Sequence, residues 1–207
     1  WGRRELQDVT FLVCADGGGN SALTSGRLPD VLIGDLDSID PGNLESCLSA
    51  GVKVMRFPRE KDETDLELAL AFAVEHLKDS CSEEDVGKRE IWLYGATGGR
   101  IDHLLGNISL MIGYAQRGWR IRLIDPVHTI WIISGMETVA GAKDQEISLL
   151  ALSEKAVVSL EGFYYPLVEE TLYQNIPRGI SNVFLGNAGT VTVHEGLVLA
   201  VRLSQKT

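Results

Sequence analysis

Phe11-Leu-Val-Cys-Ala-Asp-Gly-Gly-Gly-Asn20 and Val31-Leu-Ile-Gly-Asp-Leu-Asp-Ser38 share one design, a short apolar run that stops at an aspartate and glycine. An unbroken apolar run of this length reads as a strand buried on both faces, and a helical pattern follows. Working outward, Val52 to Phe57 reads as a third strand and Ile91 to Tyr94 as a fourth, ending at Gly95-Ala-Thr-Gly-Gly-Arg100. The clearest helix opens at Thr64, where Thr64 and Glu67 have capping-box spacing and Leu66, Ala69, Leu70, Ala73, Val74 and Leu77 share one face. A second helix is expected from Asp102 to about Gln116. From Thr10 to about Asp125 the chain is therefore α/β, with a parallel sheet and crossover helices. Beyond Val127 the helical period disappears and β runs take over: 128–133, 146–152, 157–160, 189–194 and 197–203. Two domains are expected, 1–126 and 127–207, and the polar stretch from Asp79 to Glu90 reads as a solvated loop.

The chain has 207 residues, 44% of them hydrophobic, with a net charge of −10, of which −7 falls before residue 127. It is long enough to bury a core, and its acidity argues against a general grip on nucleic acid or an anionic membrane. No apolar run has the length of a membrane-spanning helix and no secretory signal pattern opens the chain, so a cytoplasmic protein is expected. The chain opens at Trp1 without Met, which leaves room for an upstream segment. Cys14, Cys47 and Cys81 lack disulfide or zinc-site spacing and read as plain thiols.

The strand ends carry the chemistry. Asp16 follows the first strand and Asp35 and Asp37 the second; Asp62 and Asp65 follow the third, and Asp102 the glycine loop after the fourth. A single Asp in such a loop is ordinarily a turn former or a helix cap. Several gathered at the carboxyl edge of one sheet repel one another unless a cation intervenes, and hard oxygen ligands suit Mg²⁺. Gly17, Gly18 and Gly19, and likewise Gly98 and Gly99, allow backbone amides to approach phosphate oxygens without a Cβ in the way. Arg59, Lys61 and Arg100 bring positive charge to this acidic chain. Neither a P-loop nor a dinucleotide-binding glycine motif is present. Acidic ligands, glycine loops and a few cations together compose a phosphoryl-transfer site.

Ala15-Asp-Gly-Gly-Gly-Asn20, Gly34-Asp-Leu-Asp-Ser-Ile39, Lys61-Asp-Glu-Thr-Asp-Leu66 and Gly95-Ala-Thr-Gly-Gly-Arg-Ile-Asp-His103 with Asn107 resemble the successive motifs of the thiamine pyrophosphokinase family, in its order and closest to its bacterial branch. Gly162-Phe-Tyr-Tyr-Pro-Leu167, Gly179-Ile-Ser-Asn182 and Gly196-Leu-Val-Leu199 resemble its β domain. The resemblance implies a Rossmann-like catalytic domain, a C-terminal β-sandwich for thiamine binding and dimerisation, and a homodimer with active sites between subunits. It implies transfer of diphosphate from ATP to thiamine with release of AMP. Two departures stand out: the family's first strand, upstream of the region of Leu6, is absent, and Gly19 occupies a position where Ala is common, a change expected to be tolerated.

By this resemblance Asp35, Asp37 and Asp65 hold Mg²⁺, with Asp16 and Asp102 nearby, and Asp16, Gly17, Gly18, Asn20, Thr64, Gly98, Gly99 and Arg100 belong to the nucleotide site. Arg100 takes up charge on the transferred group. A carboxylate among Asp37, Asp65 and Asp102 orients or deprotonates the thiamine hydroxyl, and the sequence does not choose among them. Thiamine, an aromatic cation, requires a hydrogen-bond acceptor and an apolar face, for which Asp102, His103, Tyr165, Ser181 and Asn182 are candidates. The rival readings are a non-catalytic Mg-nucleotide sensor and a metal-dependent nucleotide hydrolase.

Overall fold

The computed structural model describes Leu6 and residues 9–80 and 90–204. Most of the stretch expected as a loop, and Cys81, lie outside the described residues. The chain divides into two compact units between Val86 and Gly87.

The first unit runs β1 (Val13–Ala15), α1 (Gly18–Thr24), β2 (Val31–Gly34), α2 (Pro41–Ser49), β3 (Lys53–Arg56) and α3 (Asp65–Ser80). Its strands form a parallel sheet in the order β1-β2-β3, with Cys14 beside Leu32 and Leu32 beside Val54. The central strand β2 is buried at every position, as its unbroken apolar run requires. Leu32 packs with Cys14, Ala22, Leu36 and Ile39. Helix α3 lies against β1 and β2 and buries Ala69, Leu70 and Val74. Full burial of a Leu or Val side chain contributes about 1.5–3 kcal/mol relative to exposure. Thr64 caps α3 as expected, its Oγ1 accepting a hydrogen bond from Glu67 N at 3.1 Å. Because the strands are parallel, their carboxyl ends share one edge, where the residues after β1 and β2 come together.

The second unit contains β4 (Glu90–Tyr94), α4 (Ile101–Ala115), β5 (Arg120–Ile124), β6 (His128–Ile133), β7 (Met136–Ala140), β8 (Glu146–Ala151), β9 (Lys155–Glu161), β10 (Leu167–Tyr173), β11 (Asn182–Val183), β12 (Ala188–Glu195) and β13 (Val198–Leu203). A four-stranded sheet, β10-β9-β12-β7, packs on a six-stranded sheet, β11-β8-β13-β6-β5-β4. The core between them includes Trp131, Val139, Leu149, Val158, Leu172 and Val191. This is the mostly antiparallel β-sandwich expected of the C-terminal half. Phe163 and Phe184 are fully buried with ring centroids 4.8 Å apart. A Cβ at Gly189 would come 2.4 Å from the Phe163 ring, so only glycine admits that ring.

Two features were not legible in the sequence. Strands β4 and β5 pair with each other in parallel, as α/β strands do, yet they hydrogen-bond into the sandwich sheet through the antiparallel β5–β6 pair. The Asp125 carboxylate makes this hairpin by accepting from Val127 N and His128 N, both at 2.7 Å. Arg122 on β5 stitches it further, donating to Glu90 on β4 at 2.6 Å and Glu137 on β7 at 2.9 Å, above the Trp131 ring of β6. The second feature is a set of strands that the sequence reading did not mark, β5, β7, β10 and β11; in β10 the outward residues leave no run of apolar side chains to read.

Candidate active site

The carboxylates of Asp16, Asp35 and Asp65 converge within 4.8 Å of one another. Asp16 comes directly off β1, Asp35 directly off β2, and Asp65 is the first residue of α3. Gly34 makes this convergence possible. It has φ +148°, and a Cβ there would stand 3.0 Å from Asp16 Cβ and 3.1 Å from Asp65 Oδ1. The loops are held in backbone conformations that side chains seldom adopt, with φ +39° at Asp16 and +65° at Leu36. Such residues cost roughly 1–3 kcal/mol each and persist where the surroundings enforce them. Leu36 is buried, which leaves its neighbours Asp35 and Asp37 on the solvent side.

The polar contacts around the triad divide its oxygens into engaged and unengaged. Asp16 Oδ1 accepts from Ser38 N at 3.2 Å and Asp35 Oδ1 from Asp37 N at 3.1 Å. Asp65 Oδ1 is buried without a hydrogen bond. Its charge partner is the ammonium of Lys61, 3.0 Å away. The Asp65 carboxylate holds the Lys61 amine above the usual lysine range. Two ionised carboxylates about 5 Å apart repel by roughly 3–4 kcal/mol at an effective dielectric constant near 20, so three together call for a cation. The donor set, three gathered carboxylates offering only hard oxygen, fits Mg²⁺.

Asp37 is not one of the three. Its carboxylate accepts from Ser38 Oγ at 2.8 Å and lies 3.7 Å from Arg59 Nε. Asn20 braces the site from α1, donating to Ser38 O at 3.0 Å and accepting from Asp40 N and Asn43 Nδ2, each at 2.9 Å. Its amide is thus occupied with the β2–α2 loop. Gly18 is the first residue of the short helix α1, while Gly17 packs against Ser38.

In the second unit, the glycine loop after β4 leads into α4. Gly98 and Gly99 face open space, and Asn107 anchors the loop by donating to Ala96 O at 2.8 Å. Arg100 forms a two-pronged pair with Asp102, Nε to Oδ1 at 3.1 Å and Nη2 to Oδ2 at 2.5 Å. The guanidinium lowers the Asp102 carboxyl to about 2. His103 is exposed beside them. Farther along, Asn182 is buried and pins the backbone of Tyr165, accepting from Tyr165 N at 3.0 Å and donating to Tyr165 O at 2.9 Å. It also accepts from Val183 N at 2.9 Å. Tyr165 is 61% exposed, and its ring meets the Tyr164 ring edge-on at 4.9 Å. Ser181, at φ +57°, donates its backbone N–H to Ser148 Oγ at 3.1 Å.

The resemblance implied Asp35, Asp37 and Asp65 as metal ligands with Asp16 nearby, whereas the structure gathers Asp16 with Asp35 and Asp65; it also implied Asn182 for substrate, where the structure adds its hold on Tyr165. The sheet order would have found the first, since adjacency of β1 and β2 puts Asp16 next to Asp35. No sequence signal separates an Asn that binds a ligand from one that pins a backbone.

Residues 3–123 match the family described as "Thiamin pyrophosphokinase, catalytic domain", and residues 128–198 match "Thiamin pyrophosphokinase, vitamin B1 binding domain". The chain belongs to the thiamine pyrophosphokinase family. It is 31% identical over 196 residues to the thiamine pyrophosphokinase of Bacillus subtilis (strain 168), covering 93% of this chain and 87% of that protein. The crystal structure of the Bacillus subtilis thiamine pyrophosphokinase superposes with a TM-score of 0.84 at 29% identity, covering 98% of this chain and 92% of that one. That of Geobacillus thermodenitrificans gives 0.79 at 31% identity, covering 99% and 92%. Thiamin pyrophosphokinase from Candida albicans, at 18% identity and a TM-score of 0.80 over 96% of this chain and 84% of that one, shares the fold. All four motifs quoted from the α/β half fall inside the catalytic match, and Gly162–Leu167 and Gly179–Asn182 fall inside the vitamin B1 match.

Proposed function

We propose that this chain transfers the diphosphate of ATP to the hydroxyl of thiamine, giving thiamine diphosphate and AMP. The observation that carries the reading is the triad of Asp16, Asp35 and Asp65 over Gly34, in a chain whose two halves match the two domains of the family. Asp35 and Asp65 hold Mg²⁺, with Asp16 completing the set; Asp37 is the further ligand that the resemblance implies. The metal, when bound, draws charge from the phosphate oxygens and orients the chain of phosphates for in-line attack.

The protein's own groups do the rest. Gly17 and Gly18 leave backbone free to approach the nucleotide, and Asn20 keeps the Asp35–Asp37 loop in place by its three hydrogen bonds. Thr64 acts through the cap that fixes the first turn of α3, and so the direction of Asp65. Arg100 exchanges Asp102 for an anionic oxygen of the transferred group, which frees the Asp102 carboxylate to accept a hydrogen bond from the thiamine hydroxyl. Gly98 and Gly99 give the phosphates room. Ser181, Tyr165 and His103 contact thiamine, the tyrosine offering its exposed ring to the cation. Asn182 positions that ring.

The parallel βαβαβ order of β1 to β3 supports a Rossmann-like catalytic domain, 1–126, followed by a thiamine-binding and dimerising sandwich, 127–207. We read the active form as a cytoplasmic homodimer with sites between subunits. Among the described residues, no helix is long and apolar enough to cross a membrane. Incubation with ATP, Mg²⁺ and thiamine tests the reaction. Thiamine diphosphate and AMP in equal amounts are expected; AMP formed without thiamine would make the chain a hydrolase, and nucleotide binding without turnover would make it a sensor.

A further inference from the structure

The Lys61 ammonium is paired with the triad through Asp65. Its side chain is 11% exposed, with Nζ 3.0 Å from the buried Asp65 Oδ1 and 3.2 Å from the carbonyl oxygen of Pro58, to which it donates. Its charge acts on Asp35 and Asp16 as well as on Asp65. Lysine at this place answers the repulsion that three gathered carboxylates create when no metal is present. Asp65 Oδ1 cannot ligate a divalent ion while an ammonium sits 3 Å away without bringing like charges together.

We infer that Lys61 is a built-in counter-cation that holds the triad together in the metal-free protein, competes with the divalent ion for Asp65, and leaves that carboxylate for a nucleotide phosphate when the ion binds. The inference rests on the metal reading above. It separates two functions that an ordinary structural lysine would not: Lys61 opposes binding of the bare metal and favours binding of the metal with its nucleotide. A lysine is suited to this exchange, being a compact charge on a flexible stem.

The test uses Mn²⁺ as the probe, its free concentration followed by electron paramagnetic resonance, on wild-type protein, Lys61→Met and Asp65→Asn. In Lys61→Met, Mn²⁺ without nucleotide is expected to bind roughly three- to thirtyfold more tightly, and Mn²⁺ with a non-hydrolysable ATP analogue at least tenfold more weakly. Unchanged or weaker binding of bare Mn²⁺ in a folded Lys61→Met protein overturns the inference while leaving the metal site standing. Mn²⁺ binding to wild type that Asp65→Asn does not alter overturns both. Should Lys61→Met fail to fold, acetylation of wild-type lysines read by peptide mass spectrometry decides: labelling of Lys61 should rise when Mn²⁺ alone is added, and no rise counts against the exchange.

Discussion

The Asp edge of the first unit and the Gly179–Asn182 segment of the second both carry family motifs, but their polar groups stand in opposite states. At the Asp edge, three acidic side chains crowd over a glycine, two residues have strained backbone, and a buried carboxylate oxygen is left without a hydrogen bond. At Asn182, the side-chain amide is buried and occupied by the backbone of Tyr165 and Val183. A region where like charges crowd over one lysine is organised for a cationic ligand, since three carboxylates outnumber the single ammonium beside them. A region with satisfied groups acts through what it presents, here the exposed Tyr165 ring and Ser181.

The largest effect should come from the Asp edge. Asp35→Asn and Asp65→Asn are each expected to reduce turnover by about a thousandfold or more, because a lost anionic ligand weakens metal binding where phosphate charge must be neutralised. The Asp35→Asn protein should melt within a few degrees of wild type or higher, since it loses a like charge from the cluster, and Asp65→Asn, which also gives up its pair with Lys61, within a few degrees of wild type. Product formation and thermal melting, measured together, check this. Unfolding of both variants would place the triad with the structural groups and erase the contrast. Asp16→Asn against Asp37→Asn sharpens it: the geometry ranks Asp16 first, whereas the resemblance ranks Asp37.

That ranking marks what the sequence could and could not show. Strand ends, the Thr64 cap and the buried face of α3 were legible because each depends on residues close together in the chain. Gathering of Asp16 with Asp35 and Asp65 depends on which strands are neighbours, and periodicity does not encode neighbours. The same limit hid the joining of β4 to the sandwich through β5, a strand the sequence reading did not mark. Hydrogen-bond state is a further step removed: the sequence offered Arg100 as positive charge beside a glycine loop, and only the structure shows that Asp102 engages it.

Asn182→Ala should cost the second-largest amount, about 2–4 kcal/mol of stability, because it strands the backbone groups of Tyr165 and Val183 that the amide now satisfies. Chemical denaturation measures it. Ser181→Ala should leave stability nearly unchanged and lower kcat/KM for thiamine. If Asn182→Ala is as stable as wild type, the segment is no more satisfied than the Asp edge and the comparison fails.

Arg100→Ala comes next, with an expected ten- to a hundredfold fall in kcat/KM for ATP, equivalent to about 1.4–2.7 kcal/mol. The same variant reports on the ion pair. Asp102 has its folded-state pKa lowered to about 2 by Arg100, so the pair's contribution is present above the ordinary carboxylate range and is lost as pH falls from about 4 toward 2. A carbon-detected titration of Asp102 should show its midpoint near 2 in wild type and shifted upward in Arg100→Ala. A midpoint that ignores the substitution would sink the pairing.

Gly19→Ala should have the smallest effect, and it asks whether packing or local propensity governs the rim of the Asp edge. Gly19 lies in α1, where alanine favours the helix by up to about 1 kcal/mol. Its new Cβ would fall 2.8 Å from Ile39 Cδ1 and 3.2 Å from Leu32 Cδ1, both buried. The nearer contact is the end of a flexible side chain, so Ile39 can turn aside, at about 0.5–1.5 kcal/mol if it leaves its preferred rotamer. The two terms nearly cancel, which gives a net change within about 1 kcal/mol and near-wild-type activity. Gly34→Ala has no such escape: its Cβ would meet the Asp16 Cβ and the Asp65 carboxylate, and its φ of +148° suits glycine. Thermal melting of the pair of variants should therefore separate them by several degrees, with activity lost only in Gly34→Ala. Equal behaviour of the two would mean that the Asp edge tolerates a Cβ beneath its carboxylates, and that Gly34 is not what lets the triad converge.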